Sequence, residues 1–137
     1  MNGFVGVKIA LFCDNKLLVC LRDNTLGLRF ANLWDFPGGG REKSETPVEC
    51  AIREVNEEFA IKLVPDSIVW QKEYPAMHDS TLRAYFMVAK ISQNEIDNIK
   101  FGGEGQRWKL MSIDEFLSRN DAVPHLKQRL QDYLNTG

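Results

Sequence analysis

The sequence predicts a mixed α/β or α+β domain, neither a helix bundle nor a sandwich of two sheets. Three observations predict it. Two N-terminal segments alternate toward apolar residues at strand spacing, one strongly amphipathic helix follows, and further strand-like segments then precede the helices that close the chain. Val5 to Phe12 reads as a strand, Asp14-Asn15 supplies the turn, and Lys16 to Leu21 reads as the return strand. Asp23 to Ala31 is a loop containing Gly27, and Leu33 to Phe36 is short and apolar. Pro37-Gly38-Gly39-Gly40 is expected to leave regular structure.

The clearest helix runs from Thr46 to Phe59. Thr46 is a good N-cap, Pro47 suits the first helical position, and Glu49 completes a capping box. Val48, Ile52, Val55 and Phe59 share one face, and Pro65 stops any extension. Ile68 to Tyr74 and Thr81 to Ile91 read as strands, joined by a loop that holds Pro75 and His78. Gln93 to Ile99 reads as a short helix, Arg107 to Leu110 as a short strand, and Ser112 to Leu117 as a helix with its own Ser112/Glu115 box. Asp121 is expected to cap a final helix whose inner stripe is Val123, Leu126, Leu130 and Leu134.

Composition sets the outer bounds. The 137 residues suit one domain spanning 1–137, and the 44% hydrophobic and 26% charged fractions exclude disorder, collagen and coiled coil as the main architecture. No apolar run approaches the ~20 residues that span a bilayer, and Met1 to Ile9 lacks a signal-peptide layout. A net charge of -2, from 17 basic and 19 acidic residues, argues against stable nucleic-acid binding and leaves room for a small anionic substrate bridged by metal. Cys13, Cys20 and Cys50 form no CxxC pair and read as core residues of a reduced, cytoplasmic protein. His78 and His125 read as surface or capping residues, and Trp34, Trp70 and Trp108 as core or edge residues. Either a monomer or a homodimer is compatible with the sequence.

The chemistry gathers on the helix. Glu54, Glu57 and Glu58 stand at i, i+3 and i+4, which places three carboxylates side by side. Arg53 can pair with Glu57 at i+4, and a divalent cation would offset far more of the repulsion. Clustered carboxylate oxygens suit Mg²⁺ or Mn²⁺, hard cations that also bind phosphate. The Phe36-Pro37-Gly38-Gly39-Gly40 segment lies just before the helix, and its glycines can bring backbone carbonyls close to a ligand.

These residues resemble the Nudix box, G-x5-E-x7-R-E-U-x-E-E-x-G-U, where U is bulky and aliphatic. Gly39, Glu45, Arg53, Glu54, Val55, Glu57, Glu58 and Ile61 match it with no gap. Ala60 replaces the second Gly, and Ser44 stands where many members carry Gly. The stretch from Asn32 to Ile61, and the order of elements through Trp108 to the last helix, are similar to the MutT-like branch of the Nudix hydrolases.

The resemblance implies a mixed sheet sandwiched between helices, and metal-dependent hydrolysis of a nucleoside diphosphate linked to some group X. A (deoxy)nucleoside triphosphate, an oxidised one included, would yield nucleoside monophosphate and pyrophosphate. A nucleotide sugar, ADP-ribose, a dinucleoside polyphosphate or a capped RNA end is the alternative X, and a non-catalytic nucleotide-binding regulator is the alternative class. Glu54, Glu57, Glu58 and the Gly39 carbonyl are the implied metal ligands, with Mg²⁺ or Mn²⁺ as cofactor. Arg53 would orient the glutamates, and Glu45 would close the loop onto the helix or bind a further metal through water. Glu57 and Glu104 are the two candidates for general base. Arg22 and Arg29 are candidates for phosphate contacts, and Phe36 for a wall of the base pocket or for the core. Matching on Pro124 places Ala122 where MutT-like enzymes carry the Asn that reads oxidised guanine.

Overall fold

A computed structural model describes residues 3–136. Met1, Asn2 and Gly137, the ends of the expected 1–137 unit, lie outside the described residues, as do the first two residues of the segment read as lacking a signal layout. Seven strands form one sheet: β1 (Phe4–Cys13), β2 (Lys16–Leu21), β3 (Trp34–Asp35), β4 (Gly38–Gly40), β5 (Ile68–Pro75), β6 (Arg83–Lys90) and β7 (Arg107–Ser112). Its main path runs β3-β2-β1-β6-β5, with β7 on β2 and β4 on β1. β1 and β6 are parallel and the other pairings are antiparallel, so the sheet is mixed, as expected.

Alternation along the central strands divides the core into two layers. Ile9 and Leu11 of β1 and Met87 and Ala89 of β6 pack under α1 (Pro47–Phe59). Ala10 and Phe12 of β1 and Phe86 and Val88 of β6 pack against α3 (Ile113–Ser118) and α4 (Pro124–Leu134). A short helix, α2 (Gln93–Asp97), follows β6. Each helix therefore lies on a face of the sheet, and the expected sandwich is observed.

The box helix has the expected start. Glu49 N donates to Thr46 Oγ1 at 3.2 Å, and Thr46 N donates to Glu49 Oε1 at 2.9 Å. Cys50, Ala51, Val55 and Phe59 are fully buried. Burying a Phe of this kind contributes about 2 kcal/mol, and here it also fixes which way the helix faces. Ala60 ends the helix at φ 59°, the left-handed conformation that the box pattern reserves for Gly.

Four expectations require correction. Gly38–Gly40 does not leave regular structure but forms β4, with Gly38 opposite Lys8, Gly39 opposite Val7 and Gly40 opposite Gly6. Missing side chains make this possible: a Cβ on Gly6 would lie 2.7 Å from the Gly39 carbonyl oxygen, and one on Gly38 (φ +143°) would run into the Val7 carbonyl. Asp121 is not the cap of α4. Val123 holds that position without a side-chain bond, while the Asp121 carboxylate pairs with Arg119 at 2.6 and 2.9 Å. The Ser112 box is only half formed, because the Glu115 carboxylate turns to Lys109 and Arg119. His125 is half-buried rather than a free surface residue: its ring packs on Phe30, and Nδ1 is buried with no hydrogen-bond partner. Conversely, α2 carries a full Ser92/Glu95 capping box.

Candidate active site

Because Val55 and Phe59 seat one face of α1 in the core, Glu54, Glu57 and Glu58 are turned toward the open end of the sheet. Together with Glu104, Gly102 and Gly103 they line a cavity of about 120 Å³. Gly102 is locked against the helix end: its N donates to the Glu58 carbonyl at 2.8 Å, and a Cβ on it would lie 2.9 Å from the Glu57 carbonyl oxygen. Glu104 thereby reaches the same cavity from the loop before β7.

Arg53 organises the acidic side. Its Nε donates to Glu45 at 2.6 Å, Nη2 to Glu45 at 3.0 Å and to the Gly40 carbonyl at 2.8 Å, and Nη1 to Glu54 and Glu57 at 3.1 Å each. Arg53 thus links the loop, β4 and two box carboxylates through a rigid fork that a lysine could not reproduce. Its hydrogen bonds hold the Glu45 carboxyl down to about 2, and its own guanidinium is held firmly protonated, first by Glu45. Glu58 behaves in the opposite way. Burial pushes it well above the usual carboxylate range, and a hydrogen bond with Glu54 adds to the shift, although Gly38 N also donates to it at 3.4 Å.

Gly39 lies directly behind Glu54, and a Cβ there would sit 2.5 Å from the Glu54 carboxyl carbon. Its carbonyl faces the Cys50 thiol at 3.8 Å. Among the described residues, no three acidic, His or Cys side chains are drawn together tightly enough to hold a metal ion. Arg53 and the Glu54–Glu58 contact hold the carboxylates instead. The donor set still fits a hard divalent cation: several carboxyl groups share one small cavity, and one is buried against another acid whose repulsion a cation would relieve.

A second cavity, of about 140 Å³, adjoins the first at Glu58 and Glu104 and is floored by Lys8, Arg22, Asp35 and Phe36. Asp35 is 3% exposed. Its Oδ2 accepts from Lys8 Nζ at 2.8 Å and from Arg22 Nη1 at 2.9 Å, and its Oδ1 accepts from Phe36 N at 2.8 Å. Burial lowers the Lys8 pKa, but Asp35 overcompensates and the net shift is upward, so Lys8 stays charged. Arg22 Nε also donates to the Arg29 carbonyl at 3.0 Å, and both arginines line a further opening of about 240 Å³ that contains His125.

Of the residues singled out from the sequence, the structure brings Glu54, Glu57, Glu58 and Glu104 to one cavity, with Gly39 and Arg53 behind them. Arg22 and Arg29 border the neighbouring openings. Phe36 is 1% exposed and stacks on Phe116 with centroids 4.5 Å apart, so its ring belongs to the core beneath the cavity. Lys8, Asp35, His125 and Arg129 were missed as contributors. A signal for two of them was present, since Lys8 interrupts an apolar strand and Asp35 lies between Trp34 and Phe36.

A family profile for the NUDIX domain matches residues 4–133. The 8-oxo-dGTP diphosphatase of Escherichia coli K12 is 31% identical over 131 residues, covering 92% of this chain and 96% of that protein. An RNA pyrophosphohydrolase of Rickettsia bellii is 30% identical over 128 residues, covering 83% of this chain and 76% of that protein. The m7GpppN-mRNA hydrolase NUDT17 of Danio rerio is 34% identical over 79 residues, covering 53% of this chain, and the match spans only 26% of that longer protein. The crystal structure of a MutT protein from Methanosarcina mazei Go1 superposes with a TM-score of 0.75 at 19% identity, covering 98% of this chain and 96% of that one, which shows a shared fold. The chain belongs to the NUDIX domain family. It is a Nudix hydrolase of MutT-like kind, an enzyme acting on phosphoric anhydride bonds. Among the described residues no helix is long and apolar enough to cross a membrane.

Proposed function

We propose that residues 1–137 form one catalytic domain that hydrolyses (deoxy)nucleoside triphosphates, oxidised ones included, to nucleoside monophosphate and pyrophosphate. The observation that carries this reading is the cavity lined by Glu54, Glu57, Glu58 and Glu104, which opens onto the cationic floor of Lys8 and Arg22. Acid at one end and base at the other suits a polyphosphate that is bridged to carboxylates on one side and gripped directly on the other.

In this reading Glu54, Glu57 and Glu58, with the Gly39 carbonyl, hold Mg²⁺ or Mn²⁺. When bound, such an ion neutralises phosphate charge and lowers the pKa of water. Arg53 is a positioning residue that keeps Glu54 and Glu57 at fixed azimuth and ties Glu45 to the helix. Glu57 or Glu104 accepts the proton of the attacking water, and both border the same small cavity. Arg22 and Arg29 contact phosphate oxygens. The three free thiols agree with a reducing, cytoplasmic setting. A capped or triphosphorylated RNA end is the second reading, favoured by the RNA pyrophosphohydrolase and mRNA hydrolase relatives. The net charge of -2 weighs against a long polyanion.

The test is product analysis over a panel of NTPs, dNTPs, oxidised dNTPs, nucleotide sugars, ADP-ribose, dinucleoside polyphosphates and 5′-triphosphorylated RNA, with Mg²⁺ and with Mn²⁺. Monophosphate plus pyrophosphate from a triphosphate is the expected result, and cleavage confined to another substrate would replace the reading. Glu57→Gln is expected to lower turnover on the order of a thousandfold in a protein that melts normally, which corresponds to several kcal/mol of lost stabilisation. Unchanged turnover in that variant would remove Glu57 from the site.

A further inference from the structure

Glu104 differs from the other acids of its cavity in how it is held. Arg53 holds Glu54 and Glu57, while Glu54 and the Gly38 N–H hold Glu58. Among the described residues the Glu104 carboxylate makes no hydrogen bond or ion pair. It stands between Gly103 and Gly105, and Gly105 adopts the left-handed region at φ +89°. Glycine on both sides leaves the backbone free to swing. Glu104 nevertheless lines both the acidic cavity and its neighbour over Lys8 and Arg22. Its place must come from the points where its loop is fastened.

The loop is fastened at two ends. Toward α1, Lys100 N donates to the Phe59 carbonyl at 3.1 Å and Gly102 N to the Glu58 carbonyl at 2.8 Å, and the Phe101 ring packs on Phe59 with centroids 5.6 Å apart. At the far end one residue makes most of the bonds. Gln106 N donates to the Leu21 carbonyl at 2.8 Å, and its side-chain Nε2 donates to the Arg22 carbonyl at 2.8 Å and to Asn32 Oδ1 at 2.9 Å. A carbonyl can only accept, which fixes the orientation of the amide. Gly105 N adds a bond to Asp23 Oδ2 at 3.3 Å. Asn32 is itself set at φ 62°, with its N–H on the Asp23 carbonyl at 3.1 Å. One amide group therefore spans both ends of the segment that carries Arg22 and Arg29.

We propose that Gln106 is a positioning residue: it holds Glu104 at the cavity by stapling the Glu104 loop to the segment that carries Arg22 and Arg29. This role rests on the reading of that cavity as the hydrolytic site. Gln106 is exposed, so its side-chain bonds compete with water and add little stability. Their effect is on geometry, because without them Gly103, Glu104 and Gly105 are anchored firmly at one end only. The Arg22 guanidinium is fixed independently, by Asp35 and by the Arg29 carbonyl. Losing the staple should therefore spare the grip on phosphate and disturb the reacting side of the site.

Two arms test this. Gln106→Met keeps the reach of the side chain and removes both donors. With dGTP and Mg²⁺ its kcat is expected to fall by about thirtyfold to a hundredfold, while KM stays within about twofold and the protein melts normally. Gln106→Ala should behave alike. If Gln106 works through Glu104, combining Gln106→Met with Glu104→Gln should give the kcat of Glu104→Gln alone. Any further loss in the double variant overturns the proposal. So does a raised KM at unchanged kcat, which would assign Gln106 to the Arg22 segment instead.

The second arm needs neither metal nor substrate. Backbone amide relaxation measured by NMR in EDTA should show the order parameters of Gly103, Glu104 and Gly105 falling in Gln106→Met, toward the flexible range below about 0.6, with those of α1 unchanged. Unchanged loop order parameters overturn the proposal even where kcat falls. A loosened loop at wild-type kcat overturns it too and leaves the hydrolase reading intact. A loosened loop in a protein whose wild type cleaves no triphosphate overturns the hydrolase reading instead, and leaves Gln106 as a tie of the loop alone.

Discussion

Arg53 and Arg129 are both largely withdrawn from water, and their surroundings differ sharply. Arg53 stands among Glu42, Glu45, Glu54 and Glu57, all within 3.4 Å. Arg129 meets a carbonyl, an aromatic face and a cavity. A cation saturated by its own chain holds neighbours in place and has little left to offer a ligand. A cation that the fold leaves short of acceptors has donors in reserve. The comparison sets a cation saturated by its own chain's carboxylates beside one that the fold gives only a carbonyl and an aromatic face.

Removing the two arginines should expose the difference most strongly. Arg53→Met leaves partly buried carboxylates unpaired and is expected to lower stability by about 3 kcal/mol, with turnover falling by on the order of a hundredfold through misplaced glutamates. Arg129→Met removes a charge with no counter-charge, and stability should stay within about 1 kcal/mol of wild type. Denaturant melts of the two variants check this, and equal losses would erase the distinction. Next in size is Gly39→Ala, whose Cβ meets Glu54 directly. A displacement of about 1 Å at a reacting group lowers kcat/KM by roughly a hundredfold, with little change expected in the binding of metal-free nucleoside.

A smaller effect concerns Glu45. Its folded pKa lies near 2, below the ordinary 4.5, because Arg53 donates to it. A depressed carboxylate stabilises the fold above its unfolded pKa, and that stabilisation is lost as pH falls through the folded value. Acid melts should therefore show a decline between about pH 4.5 and 2 that flattens in Glu45→Gln. The smallest change is Ala60→Gly. A non-glycine residue at φ 59° carries a strain of about 1 kcal/mol, so glycine should raise the melting temperature by a few degrees. An unchanged or lower melting temperature would mean that chain entropy cancels the relief.

Much of the box side was legible because its logic is local. Thr46, Pro47 and Glu49 set where the helix begins, Val55 and Phe59 set which face is buried, and i, i+3, i+4 spacing does the rest for Glu54, Glu57 and Glu58. What escaped was non-local. Whether Pro37-Gly38-Gly39-Gly40 is loop or strand depends on Gly6, Val7 and Lys8 lying alongside it. Asp121 looked like a cap because Asp commonly is one, but Arg119, two residues earlier, captures its carboxylate. Arg129 falls among the polar residues of a terminal helix, and nothing in its neighbours along the chain says that Tyr74 and Pro75 will cover it.

The glycine segment of β4 has one more consequence. It is hydrogen-bonded to the middle strand of the sheet, flanked by the Ile9 N to Pro37 carbonyl bond at 2.9 Å and the Arg41 N to Val5 carbonyl bond at 2.9 Å. A surface loop opens by itself many times for each time the whole protein unfolds. This segment gives up its ladder bonds to β1 when it opens, so it is expected to exchange more slowly than an unpaired surface loop. The backbone that faces Glu54 is thus held by its pairing with one strand, even though it is the most glycine-rich stretch of the chain.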